Sequence, residues 1–475
     1  MISHRRTDVL QKSLLVIVSL FLGSASFALA ADAKAPPDSS AELIQLAIGL
    51  FADKDKDLRA LGFDQVRTDA PGEAATRAFA AELPKLSTQA QIGLLSALAD
   101  RGDAAARPAV LKLLETKADE PVKIAALVAL GKLGNSDDVT FLVTQLASAS
   151  ENVKAAARTS LTTLPGEATP TTMATALRAA PLELRVILIE VLAARRALDT
   201  IPNLLQAAVD ADAKVRSSAM IALGQLGGPT QVPGMAAGVL KAMPGDERVV
   251  AEKALVLAAA RVEDPEQRAK PLLAVLEKAS EADRLALLPT LGRLGGETAL
   301  KLIQAELAST DTSHHNAGIE AIGNWPNASV FPTVYDTAST DPCSDCRAVA
   351  LSSLIRLAPM TDGRPDDVRL VATKKVMELC KSEDDQNRLL RRVQNIRAVE
   401  TLQYVMPYLD KPANAQAACE AIVEMAHHRG LREPNKPAFD AALTRVMAVS
   451  KDPVVVDRAQ RYKKDQTWVR PKAGE

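Results

Sequence analysis

Cys343-Ser-Asp-Cys346 is the stretch of this chain whose residue types and spacing are best suited to chemistry. Two thiols three residues apart at the start of a helix share one face, and the helix dipole lowers the pKa of a cysteine at the N-terminus. Three readings of the pair stand side by side. It can close a disulfide across one helical turn in an oxidising compartment. It can remain as two ordinary thiols, one of them buried. It can also act as a redox couple or a metal site, although a C-x-x-C away from a thioredoxin-like pattern is a weak sign of redox work. His314 and His315 lie thirty-two residues before Cys346 and Arg347. Adjacency of that kind becomes coordination only where ligand atoms come within about 2.0–2.3 Å of a zinc ion. Cys380 and Cys419 are the remaining thiols, and four cysteines allow three pairings.

The motifs that are missing narrow the chemistry further. The chain has no H-E-x-x-H, no G-x-S-x-G, no G-x-x-x-x-G-K-[ST] and no Cys-x-x-Cys-His. No catalytic residue, cofactor or resident metal is therefore expected. Both Trp, all four Tyr, all four Cys and every His beyond residue 30 fall after residue 310. Aromatic side chains dominate binding hot spots, which makes Trp325, Tyr335, Tyr404 and Tyr408 the candidate anchors for a partner. Packing of divergent terminal units is the competing reading of the same residues. His427-His428 read as the cap of a late helix, complementing its dipole. Asn327-Ala-Ser329 matches a glycosylation sequon by pattern.

The elements that must position these residues are set by a period. Val122, Val153, Leu184 and Val215 stand thirty-one residues apart, each followed by a base: Lys123, Lys154, Arg185 and Arg216. The phrase Leu130-Gly-Lys-Leu-Gly134 returns as Leu223-Gly-Gln-Leu-Gly227 and as Leu291-Gly-Arg-Leu-Gly295. A fixed period in this range marks a stacked repeat array. Within each unit the apolar spacing is helical, with Asp, Asn, Pro and Ser at the turns, so each unit is a helix pair. About thirteen pairs are expected, with second helices starting near Asp57, Thr88, Glu120, Glu151, Pro181, Asp212, Asp246, Glu281, Thr312, Cys343, Asp385, Ala413 and Asp452. In that register Cys346 takes the apolar slot and Arg347 the basic slot. His314 and His315 take the same two slots one unit earlier. Gly134, Gly227 and Gly295 are expected as left-handed helix caps, and Pro289 as a kink.

With these phrases in view, the chain resembles the HEAT-like repeat family, in the short form of about thirty residues named after phycobilisome lyases. The resemblance rests on Asp212-Ala-Lys-Val-Arg-Ser-Ser-Ala-Met-Ile-Ala-Leu-Gly-Gln-Leu-Gly227 and on Leu291-Gly-Arg-Leu-Gly-Gly-Glu-Thr-Ala-Leu-Lys-Leu-Ile303, and it covers residues 120–358 best. It implies an all-α fold, a right-handed α-solenoid whose second helices line a concave face. It also implies that an Asp and an Arg six residues apart tie successive turns together, and Asp210 with Arg216 and Asp341 with Arg347 match that spacing. The His-Glu pairs that the di-iron branch of the family uses as ligands are absent.

Composition fits such an array. Hydrophobic residues make up 47% of the chain but aromatics only 3%, so Ala and Leu must fill the core of thin, closely packed helix pairs. Residues 1–30 read as a cleaved signal peptide, with a basic start at His4-Arg5-Arg6 and Lys12, an apolar run from Ser13 to Leu22, and a cut between Ala30 and Ala31. Their loss removes three strong bases and one acid, so the formal charge of −1 falls by two to −3. That balance, together with export, argues against nucleic acid as partner, and no later stretch would span a bilayer. The expected organisation is a flexible leader at 31–38, regular repeats at 39–361, divergent repeats at 362–464 and a tail at 465–475. The expected role is an exported, periplasmic or extracellular, non-enzymatic scaffold binding a protein or peptide along the solenoid. The alternatives are a redox or metal-handling protein using Cys343, Cys346, His314 and His315, and a lyase-type cofactor-attaching enzyme.

Overall fold

The structure, a computed structural model, describes residues 39–469; the expected leader and cleavage site, and the tail from residue 470, lie outside the described residues. Thirteen antiparallel helix pairs follow one another, from Ser39–Leu50 with Lys56–Thr68 to Lys436–Val449 with Pro453–Lys463, and no strand occurs among the described residues. Each second helix begins within two residues of its expected start. Side-chain caps fix those starts: Asp212 Oδ1 accepts from the backbone N–H groups of Lys214 and Val215 at 2.8 and 3.2 Å. Ser150, Ser280, Asp311 and Ser382 cap other second helices in the same way. Each such cap contributes about 1 kcal/mol by satisfying an orphan donor. The result is an all-α solenoid of two helix layers, in which each second helix packs on the second helix of the next unit.

The Leu-Gly phrase has a structural reason that differs from the expected one. Its first glycine lets consecutive second helices touch. A Cβ on Gly131 would sit 2.6 Å from Ser160 Cα, and one on Gly292 would sit 2.0 Å from the carbonyl oxygen of Ala321. Gly224 meets Ala254 in the same way at 3.1 Å. The second glycine was expected to be a left-handed cap, and none of the three is one: Gly295 has a positive φ of 78° but a ψ of −161°, outside the left-handed helical region. Gly134 and Gly227 are extended, at φ −81° and −71°. Crowding is what selects glycine there, since a Cβ would stand 2.7 Å from the carbonyl oxygen of Leu130 or of Leu223. The Glu281–Leu294 helix continues through Pro289.

Close approach leaves the ends of the second helices to be satisfied from the next unit, and arginine does this. The guanidinium of Arg101 donates to the carbonyls of Val66, Asp69 and Ala70 at 2.6–2.9 Å. Arg195 donates to Leu161, Thr162 and Leu164 at 2.7–2.9 Å, and Arg356 to Gly323 and Trp325 at 2.6 and 2.9 Å. Arg261 reaches Leu226 at 2.9 Å. A second set folds back inside its own unit: Arg59, Arg216 and Arg347 each donate to the carbonyl six residues earlier, at Asp53, Asp210 and Asp341. Both sets place a cation where helix carbonyls lack partners and the dipole is negative.

The buried apolar residues form two clusters. One runs from Ala47 to Leu389, the other from Leu370 to Tyr462. They meet at the Asp366–Leu379 helix, where Leu370 belongs to the second, and Ala372 and Val376 to the first. The loop before it turns at Gly363, with φ 86°, and Asp362 ties it to the Ala328 N–H at 3.0 Å and to Arg364 at 2.8 Å. At the other end Asp465 pairs with Lys436 at 3.1 Å, and Arg458 lies 4.8 Å over the Trp468 ring, so the first residues of the expected tail lie against the last unit.

Two substitutions test this packing. Gly292→Ala drives a Cβ into backbone, and overpacking of about 1–3 kcal/mol outweighs the helix-propensity gain. Gly49→Ala, with nothing within 4 Å, should instead stabilise by about 0.5–1 kcal/mol. Urea melts of the two variants should move in opposite directions. Arg195→Met strips three helix-end carbonyls of their donor and should cost roughly 2–3 kcal/mol, seen as a lower urea midpoint.

Candidate functional site

The C-terminal ends of the first helices at 297–307 and 331–340 and the starts of the second helices at 312 and 344 bring the singular residues of the chain together. Cys343 is the N-cap of the Ser344–Leu357 helix, its sulfur 3.2 Å from the N–H of Cys346. Cys346 is buried in the apolar slot, with Sγ 3.2 Å from Asn316 Oδ1. All four cysteines are free thiols in the structure, so neither Cys343 with Cys346 nor Cys380 with Cys419 is joined. The hydrogen bonds from Cys346 pull the Cys343 thiol below its ordinary value, and burial pushes Cys346 above it. Burial also raises Cys380 and Cys419, each to about 11.

The two histidines part company. His314 Nδ1 faces Glu306 Oε2 at 2.5 Å and Nε2 faces Glu281 Oε1 at 2.7 Å, and Arg284 completes the network on Glu306 at 2.7 Å. Hydrogen bonds to Glu306 and then Glu281 raise the His314 pKa, which favours the imidazolium. His314 is thus held in carboxylates and away from the cysteines. His315 is the one that reaches them. Its Nδ1 lies 2.6 Å from the carbonyl of Leu307 and its Nε2 lies 2.9 Å from Asp341 Oδ2. His315, Asp341 and Cys346 offer three ligand atoms that all lie within 4.8 Å of one another. Asp341 as a member of this group was not foreseen from the sequence; its place one turn before Cys346 was the available signal.

The Asp and Arg pairs need correction. Arg216 does not pair with the Asp210 carboxylate: it donates to the Asp210 carbonyl at 2.8 Å and pairs with Glu247 of the next unit at 2.7 Å. The Asp210 carboxylate turns back to Arg185 of the preceding unit at 2.6 Å. Asp341 repeats the arrangement, with its carbonyl taken by Arg347 and its carboxylate by His315. The inter-unit link therefore joins a carboxylate to the base of the unit before it.

The aromatic candidates are packed. Trp325 is a core residue, its Nε1 donating to Ser329 Oγ at 3.2 Å, so it cannot serve as an exposed anchor. Tyr335 stacks on Phe331 with ring centres 5.8 Å apart. Tyr404 and Tyr408 meet edge to face at 5.7 Å, with hydroxyls 3.2 Å apart, half-buried against the second core. Lys374 and Lys411 lie over their faces at 5.5 and 4.5 Å. His427 bonds the Tyr462 hydroxyl at 2.9 Å, while His428 is the helix C-cap.

The family model of HEAT repeats matches residues 76–162 and 170–256. Those two stretches are HEAT repeats, and helix pairs of the same kind continue on either side of them. The chain is similar at 12% identity to a solved structure of Kap121p, with a TM-score of 0.47, covering 90% of this chain and 53% of that one. It is also similar to the Kap95:Nup1 complex, at 12% identity and a TM-score of 0.40, covering 90% and 66%, and to importin beta, at 12% and 0.34, covering 88% and 68%. The chain spans about half the length of the Kap121p structures it matches. No curated protein sequence is significantly similar to it. Among the described residues no helix is long and apolar enough to cross a membrane.

Three of the second helices leave an apolar ridge uncovered. Val128 and Ile221 occupy the same slot three periods apart, and Leu257 lies one turn further along the ridge; they are 38%, 47% and 55% exposed. Ion pairs link neighbouring second helices, with Asp100 between Arg67 and Lys132 at 3.1 and 2.9 Å and Arg158 against Glu190 at 2.7 Å. A shallow groove between the 182–194 and 213–226 helices is lined by Glu190, Ala194, Ile221 and Gln225. This ridge was missed because the sequence reading weighed aromatics and passed over apolar residues on polar faces.

Thiol chemistry separates the cysteines. Titration of the reduced native chain with a disulfide reagent near pH 8 should show one fast thiol, lost in Cys343→Ser, and three slow ones that react only on unfolding.

Proposed function

We propose that this chain is an exported, non-enzymatic scaffold that binds a protein or peptide along the exposed ridge of its second helices. The observation that carries the reading is the set of large apolar residues, Val128, Ile221 and Leu257, on a ridge that the core does not need. Burying them against a partner gains roughly 1.5–3 kcal/mol each. Flanking ion pairs such as Arg158 with Glu190 supply a polar rim. A rigid array sums such contacts over several units, so a long ligand can be held without a deep pocket.

Export is supported by the first thirty residues, with their basic start, apolar run and Ala28-Leu-Ala30. A periplasmic or extracellular partner follows from that reading. The mildly acidic charge of the remaining chain favours a protein ligand over nucleic acid. The absence of a catalytic constellation in the sequence supports a binding role over a lyase role.

Photo-crosslinking side chains placed at Val128, Ile221 and Leu257 test the ridge against Leu198, which is exposed outside the second helices. The three ridge positions should capture the same partner in periplasmic extract, and Leu198 should capture none. Ile221→Asp should lower recovery about tenfold, near 1.4 kcal/mol, without moving the melting temperature. Equal capture from all four positions would count decisively against the reading.

A further inference from the structure

Three places of the repeat can be compared directly in two units. In one, Arg185, Asp210 and Val215 line a surface hollow, and Arg185 pairs with Asp210 at 2.6 Å. In the other, the same places hold His315, Asp341 and Cys346. The carboxylate is kept, while the guanidinium becomes an imidazole and the apolar side chain becomes a thiol. Either exchange alone would be ordinary drift of a repeat. Together they place nitrogen, oxygen and sulfur donors within 4.8 Å of one another.

We propose that His315 Nε2, Asp341 Oδ2 and Cys346 Sγ form a binding site for a divalent transition metal of the zinc class. Ligand atoms on a tetrahedral zinc ion stand about 3.3–3.8 Å apart; here His315 Nε2 and Asp341 Oδ2 are 2.9 Å apart, and all three atoms lie within 4.8 Å of one another. The donor set is one that zinc accepts, and a sulfur ligand disfavours calcium or magnesium, which take oxygen.

The surroundings orient each ligand. The carbonyl of Leu307 holds His315 by Nδ1 at 2.6 Å and leaves Nε2 for the metal. The N–H of Cys343 binds Asp341 Oδ1 at 2.9 Å, and Oδ2 is turned to His315 Nε2 at 2.9 Å. Outer contacts of this kind fix ligand geometry in metal sites. Arg347, the nearest guanidinium in the sequence, is engaged by the carbonyls of Asp341 and Pro342. The imidazole of His315 is a quarter exposed, which gives a route in and leaves the fourth position to water. On binding, the Cys346 thiol gives up its proton to solvent and its contact with Asn316 Oδ1, His315 Nε2 gives up the proton it directs at Asp341 Oδ2, and the thiolate sulfur and the freed Nε2 lone pair bond the metal.

The test uses cobalt(II) as the probe on the full, reduced chain. One equivalent should bind and produce a thiolate-to-cobalt charge-transfer band in the near ultraviolet, which zinc then abolishes by displacement. Cys346→Val and His315→Arg restore the residues of the equivalent unit and should keep the fold, checked by far-ultraviolet circular dichroism. Each should lose the band. Cys343→Ser and His314→Gln should keep it. A band that never forms, that survives either restoring substitution, or that vanishes in Cys343→Ser overturns the assignment.

Discussion

At four joints a glycine brings consecutive second helices into close contact, and much of the array follows from that approach. There the glycine faces a small residue: Gly131 against Ser160, Gly224 against Ala254, Gly292 against Ala321 and Gly323 against Ser353, whereas Gly93 makes room for the Phe63 ring. Helices that approach so closely cannot interpose large side chains, which is why Ala and Leu dominate the core and aromatics are scarce. The same proximity brings the end of one second helix within reach of an arginine on the next. Arg101, Arg195 and Arg356 thereby cap carbonyls that would otherwise lie half-buried and unpaired.

The basic slot at the start of each second helix shows how one position can serve two ends. In most units it carries Lys or Arg, which reaches the next unit's carboxylate, as Arg185 reaches Asp210, or also closes on its own turn, as Arg216 does on Asp210 and Ala211 while pairing with Glu247. His315 keeps the first role with a shorter, weaker base. Its ring brings a nitrogen that can release its proton and become a ligand, where Arg185 offers only a fixed charge. Regular repeats thus supply the frame, and a single exchanged side chain changes what that frame can hold.

Much of this was legible in the sequence. The period of Val122, Val153, Leu184 and Val215 located the helix pairs, because each unit must bury the same slot against its neighbour. The conformation of Gly134 and Gly227 was not legible, since glycine answers equally to a left-handed turn and to crowding, and only coordinates separate the two. Trp325 was misread for a related reason: a rare aromatic looks like an anchor until its neighbours are known. Asp341 escaped notice because its spacing to Arg347 pointed forward along its own helix, whereas its carboxylate turns back to the preceding unit. The arginine caps left a faint trace, a base after Ala-Ala at Arg195 and Arg261, too common in helices to be read alone.

The division of the core at the Asp366–Leu379 helix carries a mechanical meaning. In a stack each unit is held only by its neighbours, so stiffness is set link by link and the softest link governs the whole. A chain with one continuous core to Leu389 and another from Leu370 is, under bending or tension, two springs joined in series. On the Asp366–Leu379 helix Leu370 serves one core, Val376 the other, and Met377 packs against both, so any bending of one segment is passed to the other through this helix.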